Sequence, residues 1–173
     1  MQVTTNSLDA YWMPFTANRD FKDEPRLLVK GEGVYYWNHK GEKILDGTAG
    51  LFCCALGHGR KEIIDAVSHQ LSELDYSPSF NIGHPGPFEL ASKIAALTPD
   101  TLNHIFFVNS GSEAIDSAMK IALAYHRSNG QAQRQRFVSR ERSYHGVNFG
   151  GTSLSGLMKN RETFGTLLPG IHH

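Results

Sequence analysis

Residues 104–108, His-Ile-Phe-Phe-Val, form an apolar run of strand length that leads straight into Ser110-Gly111-Ser112 and then into a helical pattern. A short strand that is apolar on both faces is buried on both sides, and parallel sheets covered by helices bury their strands that way. The helix after the turn carries Ala114, Ala118, Ile121, Ala122 and Tyr125 at helical spacing, which predicts one apolar stripe against the sheet. Lys120 falls opposite that stripe, facing solvent. Residues 136–140 read as another short strand before the Gly-rich stretch YHGVNFGGTSLSG. The sequence therefore opens an α/β fold, but two candidate strands make no stable open sheet. The parallel sheet is expected to be incomplete within these 173 residues.

Upstream the pattern differs. Residues 26–46, RLLVKGEGVYYWNHKGEKILD, hold three short apolar or aromatic runs separated by Gly-bearing turns, which predicts a small antiparallel meander over 27–46. Ile63, Val67, Leu71 and Leu74 recur at helical spacing, predicting a helix over about 60–75. After the loop SPSFNIGHPGP a second helix is expected over about 86–97, and a third from Ser112 to about Asn129. The expected organisation is a smaller domain within 1–80 and the first part of a larger, ligand-binding domain over 81–173.

Composition narrows the function classes. Seventeen basic residues balance seventeen acidic ones, which argues against a chain that coats nucleic acid or an anionic membrane, since both need a local excess of Lys and Arg. No apolar run is long enough to span a bilayer. The N-terminus MQVTTNSLDAYWMPF lacks a basic segment followed by an apolar one, so it does not read as a signal peptide. Cys53 and Cys54 are neighbours and cannot easily pair with each other, which suits a reducing cytoplasm. The nine histidines show no close pair with a carboxylate at helix-face spacing, so no metal site is expected.

The Ser110-Gly111-Ser112 turn admits two readings. Free N–H groups at a helix start favour an anion, Gly111 lets backbone approach closely, and Ser112 adds a hydroxyl. Equally, Ser110 and Glu113 match an ordinary capping box with no ligand. Other phosphate loops do not fit, because G-x-x-x-x-G-K-[ST] is absent and Gly57-x-Gly59 is followed by Glu62 where a dinucleotide fingerprint needs Gly. Tyr144-His145-Gly146 could offer an aromatic face to a flat ring, or could be a core tyrosine beside a turn.

Read together, these pieces resemble one family. Trp12-Met-Pro-Phe-Thr-Ala-Asn-Arg19, Gly33-Val-Tyr-Tyr36, Ala49-Gly-Leu51, Gly57-His58, Leu74-Asp-Tyr-Ser-Pro78 and Gly83-His-Pro85 occur in order, followed by Ser110-Gly-Ser-Glu113, Tyr144-His-Gly-Val-Asn148 and Gly151-Thr-Ser-Leu154. The sequence resembles the class III (omega) aminotransferases, and within them those of the beta-alanine/omega-amino-acid:pyruvate kind. The resemblance implies the pyridoxal-phosphate-dependent transferase fold type I and pyridoxal 5'-phosphate as cofactor. It implies a phosphate site at Ser110, Gly111 and Ser112, with Tyr144 and His145 at the pyridine ring. Trp12, Phe15, Leu51, Phe52 and Phe80 would line the substrate pocket, for which plain core packing is the alternative. Where relatives carry Gly-Leu-Trp, this chain has Gly50-Leu51-Phe52, and the smaller ring leaves amine preference open.

Transamination needs a Schiff-base lysine and an acidic partner for the ring nitrogen. The eight lysines, at 22, 30, 40, 43, 61, 93, 120 and 159, do not fit that role. By the resemblance, the catalytic lysine, the acidic partner and a phosphate-binding threonine from a neighbouring subunit all fall beyond residue 173. The expectation is the N-terminal part of a homodimeric or homotetrameric enzyme that moves an amino group from a small-molecule donor to pyruvate. The alternatives are another class III aminotransferase, of 4-aminobutyrate, ornithine or diaminopelargonate type, an aminomutase, or a non-catalytic phosphate-binding module.

Overall fold

The computed structural model describes residues 8–165 and 167–173. Residues 1–7, which belong to the N-terminal stretch read as lacking a signal and to the expected 1–80 domain, lie outside the described residues. The chain divides into two compact units, Met1–Gly83 and His84–His173.

The first unit begins with a 3-10 turn at Leu8–Ala10 and a short helix α1, Asn18–Asp23. Its centre is an antiparallel sheet of β1 (Leu28–Glu32), β2 (Tyr35–Asn38) and β3 (Lys43–Leu45), in that order. Tyr35 lies opposite Leu45 and Tyr36 opposite Ile44. A register shift between Leu28 and Lys30 bends β1. Asn38 closes the β2–β3 turn, its side-chain oxygen accepting from the Lys40 and Glu42 amides at 3.0 and 2.9 Å, the local bonding that favours Asn in tight turns. The expected meander over 27–46 is this sheet. A further antiparallel bridge joins Gly33 to His58. Then follow the four-residue segment α2 (Ala49–Phe52) and the helix α3 (Lys61–Glu73), which matches the expected helix over 60–75.

The second unit opens with α4 (Pro85–Ala95), started by Pro at its first position, where no N–H is needed. The long helix α5 (Gly111–Ser128) follows, then β4 (Phe137–Val138), α6 (Phe149–Leu154), α7 (Met158–Thr163) and β5 (Ile171–His172). β4 and β5 are parallel, Phe137 opposite Ile171 and Val138 opposite His172. The best-covered region is α6 and the residue after it, with Thr152, Ser153, Leu154 and Ser155 all buried. Leu154 is the one buried large hydrophobic side chain among the described residues.

Two expectations are corrected. Residues 104–108 belong to no ladder with any described residue, and Phe106 and Phe107 are 69% and 46% exposed. A strand is defined by its neighbour, and no described segment supplies one. The apolar stripe of α5 is also turned. Ala114, Ala118, Ile121 and Tyr125 are exposed, while Ser112, Ile115, Asp116, Met119 and Ala122 face cover. The helix is apolar on two faces, so periodicity fits both. The face that packs is the one opposite Gly150, where an added Cβ would strike the Asp116 carboxylate and approach Met119. Lys120 is exposed as expected.

Candidate functional site

The start of α5 is built as a reciprocal cap. Ser110 is extended, and its side chain accepts the Glu113 N–H at 3.2 Å, while Glu113 in turn accepts the Asn109 N–H at 2.9 Å. The Ala114 N–H donates to the Ser110 carbonyl at 3.0 Å. The amides of Gly111 and Ser112 have no acceptor among the described residues. The cap reading of Ser110 and Glu113 is thus correct, and it is compatible with the anion reading, because it leaves two N–H groups free at the positive end of an 18-residue helix.

Gly111 is not needed for an unusual backbone angle, since it is absent from the residues at positive φ. A Cβ there would meet no atom of any other described residue beyond its own helix turn within 4 Å. The space beside Gly111 is open, which is what a ligand approaching backbone requires. Gly146 is the opposite case. Its φ is +112°, and an added Cβ would lie 2.6 Å from Ser112 Oγ and 2.8 Å from Ser112 Cα. Only glycine lets the Tyr144–Val147 loop lie against the first turn of α5.

That contact fixes Ser112. Its side chain accepts the Val147 N–H at 2.9 Å, and the residue is 9% exposed. His145 Nε2 lies 3.1 Å from Ser139 Oγ, which lies 3.2 Å from Ser143 Oγ. Gly111, Ser112, Ala114, Ile115, Tyr144, His145 and Gly146 together line a concavity of about 410 Å³. Tyr144 is 58% exposed at this hollow. The structure therefore brings Gly111, Ser112, Tyr144 and His145 together, with Ser110 immediately behind as the cap. No lysine lines the hollow.

The five expected pocket residues, Trp12, Phe15, Leu51, Phe52 and Phe80, all belong to the first unit. Within this chain their exposures run from 72% at Leu51 to 87% at Phe52. Three stand on unusual backbone themselves, and Phe80 precedes Asn81 at φ 60°. Phe15 has φ 51°, and Ala49, Gly50, Leu51 and Phe52 have φ 50°, 58°, 55° and 71° in succession. This is a left-handed turn closed by the Phe52 N–H on the Thr48 carbonyl at 3.0 Å. For non-glycine residues that conformation costs ~1–2 kcal/mol each, so something must hold it.

The holder is a carboxylate that the sequence did not reveal. Asp46, at the end of β3, accepts the Thr48 N–H and hydroxyl on Oδ1, both at 3.2 Å, and the Gly50 N–H on Oδ2 at 2.8 Å. His58 Nε2 also reaches Oδ2 at 2.8 Å, and the two side chains are 4% and 12% exposed. The hydrogen bond from His58 is the main force holding the Asp46 carboxyl below its ordinary value. Burial opposes it, and the Thr48 and Gly50 amides reinforce it. The Tyr36 ring lies 4.3 Å from that of His58. Burial first, then the Asp46 charge, raises the Tyr36 hydroxyl. Nothing in the spacing of Asp46 and His58 marks them as partners; only the meander's closure brings them together.

Among the described residues there is no group of three or more potential metal ligands and no helix long and apolar enough to cross a membrane.

Against this geometry, the sequence pattern of the family Aminotransferase class-III matches residues 16–173. The omega-aminotransferase of Caulobacter vibrioides is 52% identical over 168 residues, covering 97% of this chain and 38% of that protein. The beta-alanine–pyruvate aminotransferase of Pseudomonas aeruginosa is 51% identical over 166 residues, covering 96% and 37%. Among solved structures, an (S)-enantioselective omega-transaminase from Thermomicrobium roseum superposes with TM-score 0.91 at 36% identity, over 96% of this chain and 38% of that one. The chain spans well under half the length of the relatives it matches.

Proposed function

The chain belongs to the class III aminotransferases, and on that premise we propose that it supplies the cofactor-phosphate site and part of the amine pocket of an omega-amino-acid:pyruvate aminotransferase. Over its length it has the α/β architecture of the pyridoxal-phosphate-dependent transferases of fold type I, with a small antiparallel sheet ahead of the larger domain's first elements. The division into a smaller domain within 1–80 and a cofactor-binding domain over 81–173 is part of the same proposal.

The residues present fit pyridoxal 5'-phosphate. The observation that carries this is the first turn of α5, where two amides without an acceptor sit beside a glycine whose missing side chain leaves open space. The phosphate is held by the Gly111 and Ser112 N–H groups and the helix's positive end, with the Ser112 hydroxyl free to donate while it accepts from Val147. Ser110 and Glu113 keep that turn in shape. Tyr144 supplies the aromatic face for the ring, and the Ser139 hydroxyl steadies His145 beside it. Bound there, the cofactor supplies an electron sink for the carbon that carries the donor's amino group. Trp12, Phe15, Leu51, Phe52 and Phe80 shape the space for that donor, as exposed apolar side chains suited to a pocket wall. The lysine that moves the proton is not supplied by the residues at this hollow.

The donor is proposed to be an omega-amino acid or amine of the beta-alanine kind and the acceptor pyruvate, with support from the two relatives named above. The enzyme is proposed to act as a homodimer or homotetramer in the cytoplasm, the exposed apolar residues of both units being suited to further cover. The test is alanine formation by the full-length, cofactor-loaded enzyme from beta-alanine and pyruvate. Amino transfer to 2-oxoglutarate but not to pyruvate would move the protein to another branch of the family.

A further inference from the structure

The Asp46–His58 pair is not accounted for by holding the fold together. His58 already ties its loop to the meander through main chain alone, its N–H donating to the Gly33 carbonyl at 2.7 Å and its carbonyl accepting the Gly33 N–H at 3.0 Å. Its side chain does something additional. It reaches Asp46, whose carboxylate also accepts from Gly50 in the left-handed turn and from Thr48 just before it, and which interacts with the Tyr36 hydroxyl. Tyr36 backs the assembly: a Cβ on Gly50 would lie 3.3 Å from its hydroxyl. The result is an unfavourable backbone form clamped from beneath by a nearly fully buried carboxylate, with Leu51 and Phe52 turned out to 72% and 87% exposure. Strain maintained by buried polar groups directly under exposed apolar side chains is the signature of a turn held for display.

We propose that Asp46 and His58 are positioning residues that hold the Ala49–Phe52 turn in the form that presents Leu51 and Phe52 to the amino donor, and so set which donors are accepted. This rests on the reading of Leu51 and Phe52 as pocket residues. Asp46 acts on the turn directly, and His58 acts through Asp46. Tyr36 limits how far the turn can sink toward the sheet.

The experiment uses the full-length, cofactor-loaded enzyme with two donors of different bulk, beta-alanine and 1-phenylethylamine. Phe52→Ala tests the underlying reading, and Asp46→Ala, with Asp46→Asn as a milder change, tests the clamp. Hydrogen–deuterium exchange over residues 47–53 reports the turn itself. The expected result is that Asp46→Ala changes the ratio of kcat/KM for the two donors about tenfold, through KM rather than kcat. Deuterium uptake over 47–53 rises while that over 28–45 is unchanged. His58→Gln, whose amide can still donate to Asp46, recovers part of the ratio. If Phe52→Ala shifts the ratio but both Asp46 variants leave it unmoved, the inference is wrong and the pocket reading stands. If Phe52→Ala leaves the ratio unmoved, the pocket reading fails and takes the inference with it. An equal loss for both donors, with a lower melting temperature, makes the pair merely structural and overturns the proposal.

Discussion

The Val147 N–H donates to Ser112 Oγ at 2.9 Å across 35 residues of sequence. That bond joins the turn that would hold a phosphate to the loop that carries Tyr144 and His145, so phosphate site and ring site are one piece. Ser112→Ala removes the acceptor and leaves a part-buried N–H unpaired, a loss of ~1–3 kcal/mol. In the full-length enzyme the cofactor dissociation constant is expected to rise about tenfold or more, measured by absorbance titration of the cofactor-free protein.

Gly111 should behave differently from Ser112. Beyond its own helix turn, no described residue lies within 4 Å of its added Cβ, and its backbone needs no left-handed angle. Gly111→Ala is therefore expected to leave the melting temperature of the cofactor-free enzyme unchanged while weakening cofactor binding, and Gly111→Val is expected to abolish binding. Parallel thermal melts and titrations check both halves. A fall in cofactor-free stability would show that the space is needed by the protein rather than by the ligand.

Much of the frame was legible in the sequence, for identifiable reasons. The β2–β3 turn at Asn38–Gly41 and the Ser110–Glu113 cap are local signals, and local signals survive whatever surrounds them, whereas the Pro85–Pro87 stretch read as loop is the first turn of α4. The left-handed turn was not legible, because Ala49, Leu51 and Phe52 are residues whose own preferences oppose it. It exists through Asp46, whose partner His58 is 12 residues away. The covered face of α5 was misplaced because apolar residues occupy two of its faces, and only the position of α6 selects between them. The run at 104–108 was apolar enough for a strand, yet a ladder needs a second chain segment and none of the described ones is there.

Asp46 gives the fold a particular response to acid. Its carboxyl is held below the ordinary value by the His58 hydrogen bond, so the folded state binds its proton less readily than the unfolded state does. The stability it contributes is complete above the unfolded carboxylate value of about 3.9 and is lost as pH falls through the lower folded value. Glu32 and Glu62 are lowered as well, but their side chains are 65% and 73% exposed, and such surface pairs contribute little. Asp46→Asn is expected to flatten the acid limb of the stability curve, followed by circular dichroism between neutral pH and pH of about 2. An unchanged limb would place the acid sensitivity elsewhere.

The 173-residue chain by itself is expected to bind a hydrophobic dye, to aggregate and to form no alanine from pyruvate and beta-alanine. Phe106, Ile121 and Tyr125 are each more than half exposed, and every large apolar side chain left in water forgoes ~1.5–3 kcal/mol against a whole-domain margin of ~5–15 kcal/mol. No lysine borders the hollow beside Gly111. Sustained alanine production by the purified chain, free of host transaminases, would refute the chemical half of this expectation.

The pairing of β4 with β5 has a consequence in time as well as in space. The loop that carries Tyr144 and His145 leaves the sheet at Val138 and is closed by Ile171–His172, with the Ser139 N–H donating to the His172 carbonyl at 2.8 Å. On a ribosome, Ser112 emerges sixty residues before His172, an interval of roughly 3–12 s at ordinary elongation rates. Until His172 is made, the loop that lies against the start of α5 has no second strand to close its stem. The meander, with its Gly33–His58 bridge, can settle well before. The hollow beside Gly111 is thus closed later than the meander, and slow codons placed between Ser112 and His172 would lengthen the stage at which nascent chains stick together.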